Sequence, residues 1–252
     1  MKLTGTHITV LFTAIISCLL SCTGSLPVKN EVVVHELADP EMINPCNTVD
    51  ATSAYICSYI FQKLIDADFK NPPNLIPMLA ESRPKIEKTA EGKMSLTFRI
   101  REQAKWDDGS PVTAKDVAFS LKAIKNPLVN NPNAKPYFSF INDFIFYPDD
   151  ERKFSVISNS VYFLAEATFT DISIFPEYLY DPKGLMSGFT IKMISEKADS
   201  LAADPKMKEF ADDFNSEKRM RDPKFIGGSA AYKYTDWKTN ERVTLTDRKS
   251  VV

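Results

Sequence analysis

Asp107-Asp108-Gly109, inside the run WDDGSPVTAKDV at 106–117, sets two carboxylates beside a glycine, a pattern that could hold a metal ion or exchange a proton. A calcium loop needs further oxygen donors at alternating positions and a distal acidic residue. SPVTA follows instead, with a proline and a valine where donors would stand, so the pattern reads as a tight turn. Asp side chains bond the backbone two residues on, and glycine takes positive φ without a Cβ clash. His35, Cys46 and Cys57 would leave a zinc site one ligand short, at spacings that match no familiar zinc pattern. A serine-type hydrolase would rest on His35, because His7 falls in the N-terminal apolar segment. Gly227-Gly228 is not followed by the Lys and Ser/Thr of a phosphate loop. Carboxylates are plentiful, but no spacing sets two of them across a cleft. Catalysis, a metal and a cofactor are therefore not expected, and a hydrolase is kept as a minor alternative.

Cys22 carries a different chemistry. Lys2 is followed by ITVLFTAIISCLL, a run too short and too soon followed by polar chain to read as a membrane span. It reads as a secretory signal over 1–21, and Leu19-Leu20-Ser21-Cys22 resembles the bacterial lipobox, which implies a lipid on the Cys22 sulfur. Removing the signal takes Lys2 from the 31 basic residues and none of the 33 acidic ones, for a net charge of −3. Residues 22–30 would then tether the domain to the bilayer. Lys and Arg are scattered and the whole chain carries −2, which argues against a nucleic-acid binder. Cys46 and Cys57 read as two buried thiols, with pairing in an oxidising compartment as the alternative.

The elements that must position these residues follow from periodicity. EVVVHE at 31–36 predicts a β-branched strand, stopped by the prolines and Asn44 of LADPEMINP. Asp50 is placed to cap a helix carrying Ile56, Ile60 and Leu64, with Tyr55 and Tyr59 on a neighbouring stripe read as core. A ligand-facing tyrosine is the alternative there. NPPNLIPMLAES reads as a proline-punctuated connector. Met94, Leu96, Phe98 and Ile100 alternate with Ser95, Thr97, Arg99 and Arg101, a strand with one dry face. Thr113 and Asp116 make a short capping box for a helix bearing Val117, Leu121 and Ile124. Residues 138–158 predict a hairpin around Pro148-Asp149-Asp150, and 195–221 a charged helical stretch interrupted at Pro205. A second hairpin spans AAYKYTDW, KTN and ERVTLTD, while VYFLAEATF at 161–169 fits no single type.

Several of these stretches, in order, resemble landmarks of the extracellular solute-binding proteins of the oligopeptide, dipeptide and nickel transport class. They are LIPMLAES at 75–82 and LTFRIREQAKWDDGSPVTAKDVAFSL at 96–121, flanked by ADPEMINP at 38–45 and IGGSAAYKYTDWKTNERVTLT at 226–246. The resemblance covers about residues 31–248. It implies a mixed α/β, two-lobed periplasmic-binding-protein-like fold with an accessory domain. Residues 31–45 and 170–252 would belong to the first lobe and 46–169 to the accessory domain. The second lobe would lie beyond TDRKSVV, so the chain is expected to be an N-terminal fragment.

In function, the resemblance implies a substrate-binding lipoprotein of an ABC importer, facing the periplasm and held to a membrane by lipid on Cys22. Its partners would be a peptide or other small solute and the permease and ATPase subunits. Such proteins bury a solute between lobes that close about a hinge. Ligand contacts are expected at Leu37, Ala38 and Asp39, at the mouth of the first strand, and at Tyr232 by the glycine loop. Trp106 is read as packing. A half-domain kept as a binding or interaction module without transport is the other alternative.

Overall fold

The computed structural model describes residues 30–131 and 133–248. The signal and Cys22 lie outside the described residues. The chain divides into two units, Met1–Glu36 and Leu37–Val252. In the first, residues 30–36 are without regular structure, and the strand expected at 31–36 is not formed. A strand needs a hydrogen-bonding neighbour, and among the described residues none pairs with this segment. Val32 is accordingly 90 % exposed, and His35 lies in the same exposed run.

The second unit begins with helix α1 (Ala51–Ile60), strands β1 (Ile65–Ala67) and β2 (Leu75–Pro77), which pair antiparallel, and strands β3 (Lys85–Lys88) and β4 (Met94–Arg99). Helix α2 (Ala114–Lys125) and the short α3 (Ala134–Tyr137) lead to the hairpin β5 (Ile141–Tyr147) and β6 (Asp150–Ser158). Four strands form one antiparallel sheet in the order β3-β4-β6-β5. The alternation in β4 is realised residue by residue: Met94, Leu96 and Phe98 are buried and Ser95, Thr97 and Arg99 are not. Phe98 pairs with Phe154 of β6, their rings 5.6 Å apart, and Phe144 of β5 stacks on Phe154 at 5.1 Å. On the wet face Thr97 and Ser155 share a 2.7 Å hydrogen bond, and Arg99 reaches Asp150 at 2.8 Å. Each large apolar side chain withdrawn from water contributes about 1.5–3 kcal/mol.

Asp107-Asp108-Gly109 is a turn. Asp108 Oδ1 accepts from Ser110 N–H at 2.8 Å and from its hydroxyl at 2.6 Å, and Gly109 takes φ +89°. Trp106, 1 % exposed, packs in the core as expected. The capping box holds too: Asp116 Oδ2 accepts from Thr113 N–H at 2.9 Å. Val117, Phe119, Leu121 and Ile124 of α2 are all buried.

Beyond the hairpin come α4 (Ala165–Thr168), α5 (Glu177–Tyr180), α6 (Ile191–Leu201), α7 (Pro205–Phe214) and α8 (Glu217–Arg221). The ambiguous stretch 161–169 thus ends in one short helical turn, and the charged stretch is three helices. Pro205 opens α7 instead of breaking it, because its missing N–H falls where none is needed and Asp204 caps the next two residues. Phe210 and Phe214 turn inward against Phe119, Phe175 and Tyr180. The chain closes with the hairpin β7 (Tyr232–Lys238) and β8 (Arg242–Asp247), with Asn240 at φ +58° in its turn.

Candidate functional site

Asp50 starts α1 as expected, its Oδ1 accepting from Ser53 N–H at 2.7 Å. The helix stops at Ile60 because Phe61 is extended (φ −111°, ψ 142°), so Leu64 is buried from the following segment and not from the helix. Ile56, Cys57 and Ile60 fill the inner face. The tyrosine stripe read as core lies outside it: Tyr55 is 41 % exposed and Tyr59 half-buried. Tyr59 donates to the Tyr55 hydroxyl at 2.6 Å, their rings edge-on at 5.0 Å, and Tyr232 meets Tyr59 edge-on at 5.7 Å. Three amphipathic rings thus form one surface ladder, joining α1 to the start of β7.

Tyr59 also lines an open cleft of about 380 Å³. Its walls are the end of α1, the segment from Phe61 to Asp66, and the pairs Asp171/Ser173 and Ala230/Ala231. Backbone contacts tie these walls together: Lys63 bridges Ser173, and Ile174 N–H donates to Gln62 O at 3.0 Å. The volume falls in the range of small-molecule sites. At the polar end Lys63 Nζ stands 3.2 Å from Asp66 Oδ1. Burial raises the Asp171 carboxyl above its ordinary value; Lys63 pulls it back and Asp66 pushes it further up. One cation faces two carboxylates, so this end suits a positively charged group.

Cys57 borders the cleft and Cys46 lies nearby in sequence to its 45–48 loop; both are free and buried, as the sequence reading preferred. Burial pushes the Cys46 thiol up to about 12, against a hydrogen bond from Asn131 Nδ2, and raises Cys57 also. Thiols held protonated in this way are poor nucleophiles.

The four residues expected at the site fall in different places. Tyr232, 38 % exposed, stands at the start of β7 beside Tyr59. Asp39 Oδ2 accepts from Trp237 Nε1 at 3.1 Å, near the other end of β7 and roughly 15 Å along the strand. Leu37 and Ala38 are exposed beside Asp39, and none of the three lines the cleft. Lys63, Asp66, Asp171, Ala230 and Ala231 escaped the sequence reading, since nothing in their spacing marks them. The tyrosine pair four apart was the one local signal.

A mixed α/β unit with an open cleft between its segments has the architecture of a solute-binding protein. The structure is similar to that of Listeria monocytogenes OppA bound to peptide, with a TM-score of 0.62 at 15 % identity. That match covers 85 % of this chain and 38 % of the other, and it establishes a fold of the periplasmic peptide-binding type. In sequence the chain is 30 % identical over 114 residues to the periplasmic oligopeptide-binding protein OppA of Haemophilus influenzae, 45 % of this chain and 19 % of that one. It is 24 % identical over 251 residues to its namesake from Salmonella typhimurium, 93 % of this chain and 40 % of the relative. The chain therefore spans less than half the length of these relatives. The family model described as bacterial extracellular solute-binding proteins, family 5, middle part, matches residues 74–250, and the chain belongs to that family. The family resemblance drawn from the 75–121 and 226–246 stretches is thereby borne out.

Proposed function

We propose that this chain is part of the substrate-binding component of an ABC importer, taking up a peptide and handing it to permease and ATPase subunits without hydrolysing it. The observation that carries this reading is the cleft: Tyr59, with Tyr232 edge-on behind it, beside Lys63, Asp66 and Asp171, on a family 5 scaffold. Aromatic rings suit the variable side chains of a peptide, and a surplus carboxylate suits its ammonium group. Names of the relatives support both the peptide and the periplasmic location. In this reading residues 31–45 and 170–252 belong to the first lobe and 46–169 to the accessory domain. Leu37, Ala38 and Asp39 make a second contact point, at the Trp237 end of β7, and Cys22 carries the lipid anchor that keeps the protein at the membrane.

Isothermal titration of the chain with tri-alanine and tri-lysine tests the reading. Saturable binding that weakens in Tyr59→Ala supports it; where this chain gives no heat, a version carrying the second lobe is titrated in the same way, and no heat there either argues for a module without transport. Mass spectrometry of the membrane fraction tests the anchor: a diacylglyceryl adduct that vanishes in Cys22→Ala is expected. His35→Ala should leave any peptide intact, as in the wild type.

A further inference from the structure

Two stretches that stand 121 residues apart in sequence, at Asp107 and Gly228, meet beside one wall of the cleft. Asp107 N–H donates to Gly228 O at 3.1 Å, and Ala230 N–H donates to Ile60 O at 3.0 Å. The glycines permit this approach. A Cβ on Gly227 would stand 2.9 Å from Leu179 Cδ2 and 3.2 Å from Asp107 Oδ1, and one on Gly228 would fall 1.9 Å from Ile60 O. Across the junction lies Arg248. Its Nη2 donates to Trp106 O at 2.7 Å and Lys105 O at 3.0 Å, its Nη1 donates to Ala230 O at 2.8 Å, and its own N–H donates to Ala231 O at 3.0 Å. Ala230 and Ala231, immediately before β7, are the residues that this stretch contributes to the cleft.

We infer that Arg248 is a positioning residue for solute binding: it clamps the Ala230-Ala231 wall of the cleft to the turn at Lys105-Trp106. This rests on the reading of the cleft as the solute site. The planar guanidinium presents donors in a fixed fork, so one side chain reaches carbonyls on both sides of the junction at once. A lysine ammonium carries its donors on one nitrogen and lacks the fork that holds both sides in fixed geometry. Asp107 and Asp108, in the same turn, supply the counter-charge, which works against the burial that lowers the Arg248 pKa. The clamp also decides what the wall offers. The Ala230 carbonyl and N–H and the Ala231 carbonyl are committed inside the protein, with Ala230 buried and Ala231 exposed at the wall. Its position therefore governs fit.

The test uses the whole chain as wild type, Arg248→Ala, Arg248→Lys and, as a control for charge on the same hairpin, Arg242→Ala. Amide hydrogen exchange by mass spectrometry reports the wall, and titration with tri-alanine and tri-lysine, well below the melting temperature, reports affinity. In both Arg248 variants exchange at 228–233 and 60–63 should quicken by about tenfold with β4 unchanged. Peptide affinity should fall by about tenfold, while Arg242→Ala matches wild type in both. Exchange at 228–233 that does not change overturns the clamp. Exchange that quickens equally in β4 overturns positioning in favour of a general loss of stability. A loosened wall with unaltered affinity also overturns it. If the wild type binds neither peptide while the wall still loosens, the solute reading fails for this chain by itself and the clamp stands as support for the wall alone.

Discussion

In the β3-β4-β6-β5 sheet, the face that each β4 side chain takes follows from its parity along the strand, whereas the cleft draws Tyr59, Asp171 and Ala231 from stretches far apart in the chain. The central strand of the sheet is a repetition: each buried residue of β4 is followed by a more exposed one. The cleft is a convergence. Its residues share no period, and their roles arise only where α1, the 61–66 segment and the start of β7 meet. The sheet should therefore respond to substitution according to parity, and the cleft according to contact.

The largest effect is expected within one strand. Phe98→Ala removes a ring lodged among Phe154 and Phe169 and should cost about 3–5 kcal/mol in urea denaturation. Thr97→Ala, one residue earlier on the wet face, should cost about 1 kcal/mol or less. Equal losses at the two positions would break the parity account. Next comes the glycine loop. A methyl at Gly228 meets the Ile60 carbonyl, which cannot yield without unwinding the end of α1, so Gly228→Ala should cost about 3 kcal/mol. Gly188, with nothing within 4 Å of a built Cβ, should accept Ala with a change of about 0.5 kcal/mol or less. A tolerant Gly228 would mean that the junction is looser than its geometry.

The contrast explains what could be read in advance. β4, α2, both hairpins and the Asp108 turn follow from short-range rules, and each formed where the sequence put it. The failures have one cause: the deciding partner lay elsewhere. EVVVHE has strand composition, but among the described residues it has no strand to pair with. Tyr55 and Tyr59 have helical spacing, yet spacing gives a stripe without saying what covers it. Here the stripe is left open, and of the two only Tyr59 lines the cleft. Asp107 looked like a ligand or a turn residue, and it is a turn residue whose N–H also holds the glycine loop, a role that no local pattern encodes.

Smaller effects sharpen the comparison further. Tyr59→Ala should lower peptide affinity by about tenfold while shifting stability by about 1 kcal/mol or less, because the ring is half-buried on the rim. Thr113→Ala should do the reverse, costing about 1 kcal/mol of stability through the lost cap and leaving affinity alone. A loss of affinity in Thr113→Ala would show that scaffold and cleft are coupled more tightly than their separate constructions suggest.

The least effect, and the most diagnostic of the cleft, concerns charge. Asp213, on the scaffold, is pushed up by burial but pulled down further by hydrogen bonds from Lys218 and Arg219, so its pKa ends below the ordinary value. It stabilises the fold at neutral pH and loses that contribution as pH falls through its folded pKa. Asp171 behaves oppositely. Burial raises it, Lys63 only partly compensates, and Asp66 adds to the rise. The folded protein therefore binds this proton more tightly than the unfolded chain does, and stability declines as pH rises through the carboxylate range. Asp171→Asn removes that charge, so the variant should melt slightly above wild type at neutral pH, and the difference should vanish at about pH 3, where both forms are neutral. A scaffold carboxylate would show the reverse sign. If Asp171→Asn melts below wild type at neutral pH, the carboxylate is satisfied within the protein, and the cleft has no surplus charge with which to hold an ammonium group.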